Sequence, residues 1–410
     1  MASLPIPSIE SQAISQALTL LIQQKITQAR GWISFAEFMH MALYTPSLGY
    51  YSGGAKKFAD LKTGGGDFVT APEISPLFAQ TLALQAEQIL AATQSSNLIS
   101  NILELGAGTG KLAVDLLLEL DQLNRLPEQY FILEVSAHLR QVQRENCQAK
   151  LPENLFDKLV WLDELPKKFN GLVLGNEVLD AIPAHIFHKT AEGWRERGVS
   201  FEAGFIWRDN LINDAAPLAQ INFTEHLPPN LAEDLPIGYI TEMNPAASAL
   251  VRSLADMLGT GAILLIDYGF GAAEYYHPQR NQGTLMCHYQ QLAHDNPLTH
   301  VGLQDITAHV NFTEIALACN PIPVDFIGYL SQAQFLINCG ILSVLQRYSP
   351  EDIEYMKLAS AAQKLLSPAE MGELFKVMCF SKNINEPLIG FVQGDKAHTL
   401  TLVSSAPTGL

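Results

Sequence analysis

The stretch Glu104-Leu105-Gly106-Ala107-Gly108-Thr109-Gly110 joins a short apolar run to a segment with helical periodicity. Alternate glycines between a strand and a helix let the chain turn tightly and let a ligand touch the backbone. Such a loop is typical of the first strand–loop–helix unit of a doubly wound α/β sheet. The stretch therefore predicts an α/β fold with a small-molecule site at Gly106, Gly108 and Gly110.

Two phosphate-binding loops do not match this stretch. A nucleoside triphosphate loop needs glycine where Leu105 stands and serine or threonine where Leu112 follows Lys111. A nicotinamide dinucleotide loop needs glycine at the position of Lys111, which weakens that interpretation without abolishing it. A cofactor without a phosphate is therefore favoured.

Two acidic residues beside the loop indicate which cofactor this is. Glu104 lies just before the first glycine, where a carboxylate would repel a pyrophosphate but attract the ammonium and sulfonium groups of S-adenosylmethionine. Glu134 ends the second predicted strand, where an acid can bind both hydroxyls of a ribose. Together with Gly106, Gly108 and Gly110, these two residues predict an S-adenosylmethionine site.

The order of the apolar runs predicts a parallel sheet covered by helices. The predicted strands are 101–105, 130–135, 158–162, 171–175 and 262–266, and the predicted helices are 111–123, 137–148 and 246–258. Gly259 and Gly261 are expected to end the last of these helices.

The C-terminal third is expected to complete the sheet. Residues 324–330 and 388–392 are predicted as two further strands, one of them antiparallel to the rest, and two helices are predicted within 331–381.

We expect three regions along the chain. Residues 1–90 form an N-terminal helical cap or lid that includes the glycine-rich segment 52–66, and residues 91–184 and 237–410 form the cofactor-binding core. Residues 185–236 alternate apolar and polar side chains with period two, which predicts a β-hairpin insertion. An insertion at the carboxyl edge of such a sheet often shapes the substrate site.

A polar cluster follows the fourth predicted strand, at Asn176, Glu177 and Asp180. The carboxyl ends of the strands face the ligand in this architecture, so these side chains are placed to hold the group that accepts the methyl. A helical turn would put both carboxylates on one face, which suits a guanidinium. Alternatively, Asn176 or Asp180 caps a short helix. For a second polar cluster, Asp267-Tyr268-Gly269, a plain turn is an equal alternative.

Composition limits the partners of this chain. Its 410 residues include 25 Lys and Arg against 42 Asp and Glu, a formal net charge of −17, which opposes binding to nucleic acid. The 5 cysteines are scattered without zinc-ligand spacing, so we expect reduced core residues and no metal site. We find no secretion signal and no apolar run of membrane-spanning length, and we therefore expect a cytoplasmic protein.

Further stretches stand beside the glycine loop and the Gly175 to Pro183 stretch. They are Gly66-Asp67-Phe68-Val69-Thr70-Ala71-Pro72-Glu73-Ile74-Ser75, Ile266-Asp267-Tyr268-Gly269, Glu370-Met371-Gly372 and Phe375-Lys376-Val377. In these stretches the chain resembles the MidA-like methyltransferases, and the resemblance covers nearly its whole length. Ala107 departs from many relatives, which have proline there.

This resemblance implies a class I methyltransferase fold, S-adenosylmethionine as cofactor and methyl transfer to an arginine of a protein substrate. The family includes the arginine methyltransferase of mitochondrial complex I assembly, so a link to respiratory complex assembly is implied as well. The resemblance also implies that Asp67, Thr70, Pro72 and Glu73 help to close the site, with Thr70 and Pro72 among the cofactor-binding residues. Alternatively, Pro72 and Glu73 start a helix.

Two other functions stay open on the sequence. The acceptor is alternatively an amide or a small metabolite, or the protein is a non-catalytic assembly factor that binds S-adenosylmethionine. Transfer of a radiolabelled methyl group to components of a cell extract distinguishes an enzyme from such a factor. The oligomeric state is not determined by the sequence, and a homodimer is one candidate.

Overall fold

A computed structural model describes residues 4–53, 70–212 and 235–400 of the chain. Its strands are β1 (Ile33–Ser34), β2 (Asn101–Leu105), β3 (Tyr130–Leu133), β4 (Leu159–Leu162), β5 (Phe169–Asn176), β6 (His185–Thr190), β7 (Gly193–Phe201), β8 (Phe205–Leu211), β9 (Ile240–Met243), β10 (Leu258–Phe270), β11 (Met286–Tyr289), β12 (Leu292–His294), β13 (Asp305–Thr307), β14 (Val310–Asn311), β15 (Asp325–Ser331) and β16 (Phe375–Lys382). Its helices are α1 (Ile9–Gln28), α2 (Phe35–Tyr44), α3 (Ala71–Ile74), α4 (Pro76–Ser95), α5 (Lys111–Gln122), α6 (Ala137–Lys150), α7 (Glu153–Phe156), α8 (Pro245–Met257), α9 (Ala272–Tyr275), α10 (Phe312–Ala318), α11 (Gln332–Asn338), α12 (Ile341–Leu345) and α13 (Ile353–Leu366).

The central sheet has the strand order β15-β16-β10-β5-β2-β3-β4, and β14 pairs with β10 at one end of that strand. The neighbouring strands β10, β5, β2, β3 and β4 run parallel to one another, whereas β16 is antiparallel to both of its neighbours. All five strands predicted from 101 to 266 are present in this sheet, and the expected doubly wound α/β core is therefore confirmed. Their near-continuous apolar sequences reflect burial on both faces of a parallel sheet.

The glycines after α8 have a different role from the one expected. Gly259 and Gly261 do not end the helix as a separate cap, because both lie inside β10, which begins directly after Met257. A Cβ atom on Gly261 would clash with the backbone oxygen of Gly171 on β5. Glycine at 261 therefore permits the close approach of two neighbouring parallel strands.

The C-terminal prediction was right for one strand and wrong for the rest. The strand expected at 324–330 is β15, but 331–381 contains three helices followed by β16, and 388–392 contains a 3-10 turn at Ile389–Phe391 instead of a strand. The antiparallel strand is β16, whose continuous run of buried residues has neither helical nor alternating periodicity. Periodicity cannot distinguish such a run from a buried helix.

A second sheet lies in the inserted region. It has the order β1-β7-β6-β9, with β8 also paired to β7, and all of these pairs are antiparallel. The predicted hairpin thus exists, but it belongs to a larger sheet that recruits β1 from the N-terminal region. Residues 213–234 of the insertion lie outside the described residues.

The first 90 residues do not all lie in a peripheral cap. Helices α1 and α2 pack with β7 and with a small three-stranded sheet, in the order β12-β11-β13, through buried residues such as Leu18, Phe35 and Phe38. Helix α4 instead places Phe78 and Leu82 in the main core cluster, together with residues of β2 and α5. The boundary expected at residue 90 therefore falls inside a helix that covers the central sheet.

All five cysteines are buried and unpaired, which confirms them as core residues. Across 4–53, 70–212 and 235–400, no helix has both the length and the apolar character required to cross a bilayer.

Candidate active site

The glycine loop leads from β2 into α5 with a backbone that favours glycine. Gly106, Gly108 and Gly110 have φ values of 56°, 54° and 82°, all in the left-handed region. Gly106 and Gly108 line a cavity of about 920 Å³. Gly110 is absent from the lining of this cavity, and a Cβ atom there would lie 3.0 Å from the Sγ atom of Cys147. The first two glycines therefore admit a ligand, and the third permits packing of α5 against α6.

The cavity lies where four parallel strands of the central sheet end. Leu105, Leu133, Asn176 and Tyr268 line it from β2, β3, β5 and β10. Such a crevice at the carboxyl edge is where open α/β sheets bind ligands. Its volume falls within the range of small-molecule sites.

Glu104 is 3% exposed and lines the cavity from β2. Tyr130 Oη on β3 donates a hydrogen bond to its Oε2 atom at 2.7 Å. Burial raises the pKa of Glu104 to about 7, against the lowering effect of Tyr130. A bound cation would stabilise the ionised form of this carboxyl.

Glu134 lines the cavity just after β3 and is held by two donors. The backbone amide of Ser136 donates to Oε1 at 2.9 Å, and Gln143 Nε2 on α6 donates to Oε2 at 3.0 Å. Gln143 Nε2 also lies 3.1 Å from the carbonyl oxygen of Gly108, so it connects Glu134 to the glycine loop. Burial raises the pKa of Glu134. No local sequence pattern indicates the role of Gln143, because that role depends on the packing of α6 against the loop.

The segment at Thr70 and Pro72 closes one side of the cavity, and both residues line it. Thr109 Oγ1 donates a hydrogen bond to Glu73, which ties α3 to the glycine loop. The backbone amide of Ala71 donates to Glu177. This short helix thus touches both the predicted cofactor side and the predicted acceptor side. Asp67 lies outside the described residues.

Glu177 follows the last residue of β5 and has a φ of 53°, which is unusual for a residue other than glycine. Its amide donates to the carbonyl oxygen of Ile266 at 2.8 Å, and Asn176 Nδ2 donates to its Oε1 atom at 3.1 Å. Strained backbone of this kind clusters at functional sites. Burial, together with the charge of Asp180, raises the pKa of Glu177 to about 8.

Asp180 is 5% exposed, lines the cavity and leaves its Oδ1 atom without a hydrogen-bond partner among the described residues. Burial, followed by the charges of Asp267 and Asp305, raises its pKa well above the ordinary value. The Oδ1 atom of Asn176 is also buried and unpartnered among the described residues. A buried acceptor without a donor is costly, so these oxygens are suited to a ligand that brings N–H groups.

The predicted helical turn after β5 is wrong, and so is the helix-cap alternative. Residues 177–184 form a turn without a helix, and the Oδ2 atom of Asp267 accepts backbone amide hydrogen bonds from this turn. Glu177 and Asp180 still reach the same cavity. The plain-turn alternative for Asp267-Tyr268-Gly269 is also wrong, because these residues lie within β10.

Asp305 is a cavity residue that the sequence analysis missed. It begins β13 in the small sheet of β11, β12 and β13, and Tyr51 Oη donates to its Oδ1 atom at 2.8 Å. Tyr44 and Tyr268 also line this part of the cavity. Nothing in the local sequence signals this role, because Asp305 reaches the site only through the docking of a separate sheet.

The insertion does not line the cavity beside Asp305, although it was expected to shape the substrate site. Among the described residues of 185–212, none lines the cavity. That side is lined instead by residues of α2 and by Tyr50–Ser52, His288–Gln290, Leu303, Asp305 and Thr307. The insertion acts indirectly, since β7 pairs with β1, which leads directly into α2.

The cavity is rich in carboxyl groups. Its described lining includes Glu104, Glu134, Glu177, Asp180 and Asp305, whereas the Lys and Arg in that lining are limited to Lys111, whose Nζ atom pairs with Asp115. Such a site disfavours a pyrophosphate and attracts cations. The lining is therefore compatible with S-adenosylmethionine, which carries an ammonium and a sulfonium group and no phosphate.

Comparison with known proteins agrees with this geometry. Residues 81–330 match the model of a family described as S-adenosyl-L-methionine-dependent methyltransferases. The chain is 30% identical over 401 residues to "Protein arginine methyltransferase NDUFAF7, mitochondrial" of Danio rerio, covering 90% of this chain and 88% of the relative. It is 28% identical to the Homo sapiens protein of the same name, covering 85% and 80%.

A solved structure is similar over almost the whole chain. A crystal structure from Burkholderia thailandensis, bound to S-adenosyl-homocysteine, is 46% identical and has a TM-score of 0.89. The match covers 97% of this chain and 100% of the chain in that crystal structure. The fold is that of a class I methyltransferase, the cofactor is S-adenosylmethionine, and the chain belongs to the family of S-adenosyl-L-methionine-dependent methyltransferases.

Proposed function

We propose that this enzyme methylates a guanidinium nitrogen of an arginine in a protein substrate. The carrying observation is that Glu177, Asp180 and Asp305 line one side of the same cavity as the glycine loop. The names of the 30% and 28% identical relatives support an arginine acceptor. Because of the family resemblance, we also propose that the substrate is linked to respiratory complex assembly. The sequence is the basis for a further proposal, that the protein is cytoplasmic.

A guanidinium offers five N–H donors in a planar fork, which matches several carboxylates better than one. Asp180 has a buried oxygen without a partner among the described residues, and Asn176 orients Glu177 by its hydrogen bond. The three carboxylates would hold the guanidinium and leave one nitrogen facing the glycine-loop side. A neutral amide would not supply the positive charge that stabilises the ionised form of these buried carboxyls.

The bound cofactor supplies a methyl group on a sulfonium sulfur, which leaves as a neutral thioether. The attacking nitrogen loses one proton as its new bond to the methyl carbon forms. Glu177 is suited to accept this proton at a carboxylate oxygen, because its pKa of about 8 lies near the working pH. Positioning of the nitrogen by the carboxylates supplies much of the rate acceleration.

The test is transfer of a radiolabelled methyl group to a cell extract, followed by mass spectrometry of the labelled proteins. The proposal expects methylarginine in at least one protein with the wild-type enzyme and none with Glu177→Gln. A label found on an amide or on a small metabolite would replace the arginine assignment. No label in any fraction would favour a non-catalytic assembly factor.

A further inference from the structure

A groove runs along one face of α1, outside the cavity described above. Its volume is about 530 Å³. We call it the α1 groove, and it is lined by Pro7, Gln12, Ser15, Gln16, Thr19, Leu20 and Gln23 on one side and by Phe201, His300 and Leu303 on the other.

The α1 groove adjoins the cavity. Leu303 lines both spaces. Tyr289 lines the cavity, His300 lines the groove, and their rings stack with centroids 4.6 Å apart. At the start of α1, Ser11 lines the cavity and its neighbour Gln12 lines the groove. A chain that enters the cavity from this side would therefore lie along the groove.

The groove is preformed, because α1 is fixed in place. Leu18, Ile22 and Ile26 are at most 2% exposed and pack in the cluster that contains α2 and the small sheet. Ser15 Oγ donates a hydrogen bond to the carbonyl oxygen of Val301 at 2.8 Å, which joins α1 to the opposite wall. A groove that exists before binding saves the ordering cost that a mobile surface would add.

The chemistry of the groove suits a polypeptide backbone. Its described lining contains no carboxylate, lysine or arginine, and Gln12, Gln16 and Gln23 each carry both a donor and an acceptor. Leu20, which is 58% exposed, and Phe201 add apolar surface for side chains. A phosphate backbone would find no cation there.

The length of the groove defines the size of the bound segment. From Gln12 to Gln23, the first and last residues of α1 that line the groove, the helix rises about 17 Å at ~1.5 Å per residue. An extended peptide covers about 3.3 Å per residue, so the groove accommodates roughly five residues.

We propose that the α1 groove binds, in extended conformation, the segment of the protein substrate that flanks the acceptor arginine. This inference rests on the proposed arginine methylation. It assigns substrate affinity to α1, whereas the carboxylates of the cavity bind the arginine itself.

The test uses synthetic peptide libraries that contain one arginine and no other basic residue. The long library carries about five randomised residues on each side of the arginine, the length set by the groove, and the short library carries one. Thr19→Trp fills the groove, and Gln24→Trp is the matched control because Gln24 is exposed on the same helix and does not line the groove. The double variant Gln16→Ala, Gln23→Ala removes polar contacts without adding bulk.

We expect the wild-type enzyme to have a KM for the long library about tenfold lower than for the short one, with a similar kcat. Thr19→Trp and the double variant should abolish most of that difference, and Gln24→Trp should preserve it. Titration with S-adenosyl-homocysteine should give unchanged affinity for all variants. Equal KM values for both libraries, or equal effects of Thr19→Trp and Gln24→Trp, would overturn the role of the groove while arginine methylation stands. Failure to methylate arginine in either library would overturn both proposals.

Discussion

The carboxylate oxygen Oδ2 of Asp267 accepts a hydrogen bond from the backbone amide of Leu179 at 2.9 Å. The same oxygen lies 3.1 Å from the amide of Val178 and 3.3 Å from that of Asp180. A residue on β10 thus holds the turn that follows β5 and carries Glu177 and Asp180. The position of both acceptor-side carboxylates depends on this contact between neighbouring strands.

Removal of the Asp267 carboxylate should therefore destabilise the protein. Asp267→Ala leaves buried backbone amides without an acceptor, so we expect the free energy of unfolding to fall by about 2 kcal/mol. Asp267→Asn keeps an acceptor oxygen, so its free energy of unfolding should fall by less. Chemical denaturation measures both, with Asp256→Ala on the exposed side of α8 as the control. Equal stability of the Asp267→Ala and Asp256→Ala variants would show that the turn after β5 does not depend on the Asp267 carboxylate.

Glu134 should act on the cofactor. Loss of a carboxylate that accepts two ribose hydroxyls costs about 1.5–3 kcal/mol, so Glu134→Ala should weaken cofactor binding roughly ten- to a hundredfold. Calorimetric titration with S-adenosyl-homocysteine measures this change. Glu145→Ala, at an exposed position on α6, should bind as the wild type does. An unchanged affinity for Glu134→Ala would remove this residue from the cofactor site.

Glu177 should act on the acceptor and not on the cofactor. Glu177→Gln keeps the size of the side chain but loses its charge and its capacity to accept a proton, so methyl transfer should fall by at least about a hundredfold. The affinity for S-adenosyl-homocysteine should stay within about twofold of the wild type, because Glu134 and the glycine loop are intact. A single-turnover assay and a titration separate the two effects. Full activity of Glu177→Gln would contradict the assignment.

The raised pKa of Glu177 makes the stability of the ligand-free protein depend on pH. Its pKa is about 8 in the folded protein and near 4.5 in the unfolded chain, so the folded state binds more protons between these values. Stability must then fall as pH rises through that window. We expect a lower free energy of unfolding at pH 8 than at pH 6, with a smaller difference in Glu177→Gln. Denaturation curves of both proteins at both pH values provide the test. An equal change in the free energy of unfolding between pH 6 and pH 8 in the two proteins would refute the raised pKa of Glu177.

Asp305 should contribute to acceptor affinity. Asp305→Asn removes one of the carboxylates around the guanidinium, and we expect KM for an arginine peptide to rise about tenfold while S-adenosyl-homocysteine affinity stays the same. Tyr51→Phe removes the 2.8 Å hydrogen bond that orients Asp305, and should act in the same direction but less strongly. Asp295→Asn, at an exposed position near the same small sheet, is the control. Equal KM values for Asp305→Asn and Asp295→Asn would place Asp305 outside the acceptor site.

The sequence by itself determined the parts of this protein that depend on local chain geometry. The glycines at 106 and 108 adopt left-handed backbone beside the cavity, and Glu104, Glu134 and Glu177 line it at strand ends, as their positions after apolar runs predicted. Each strand is short and adjacent in sequence to its loop, and carboxyl ends of parallel strands converge at one edge of the sheet. Local pattern is therefore enough to collect these residues.

Only the tertiary structure decided which other groups face them. Asp305 and Tyr51 are separated by most of the chain and meet because a small sheet docks beside α2. Gln143 reaches Glu134 through the packing of α6, and the run that forms β16 becomes a strand because it pairs with β10 and β15. The α1 groove likewise exists only where α1 meets Phe201, His300 and Leu303. Contacts between distant segments depend on how whole elements pack, and no local periodicity records that packing.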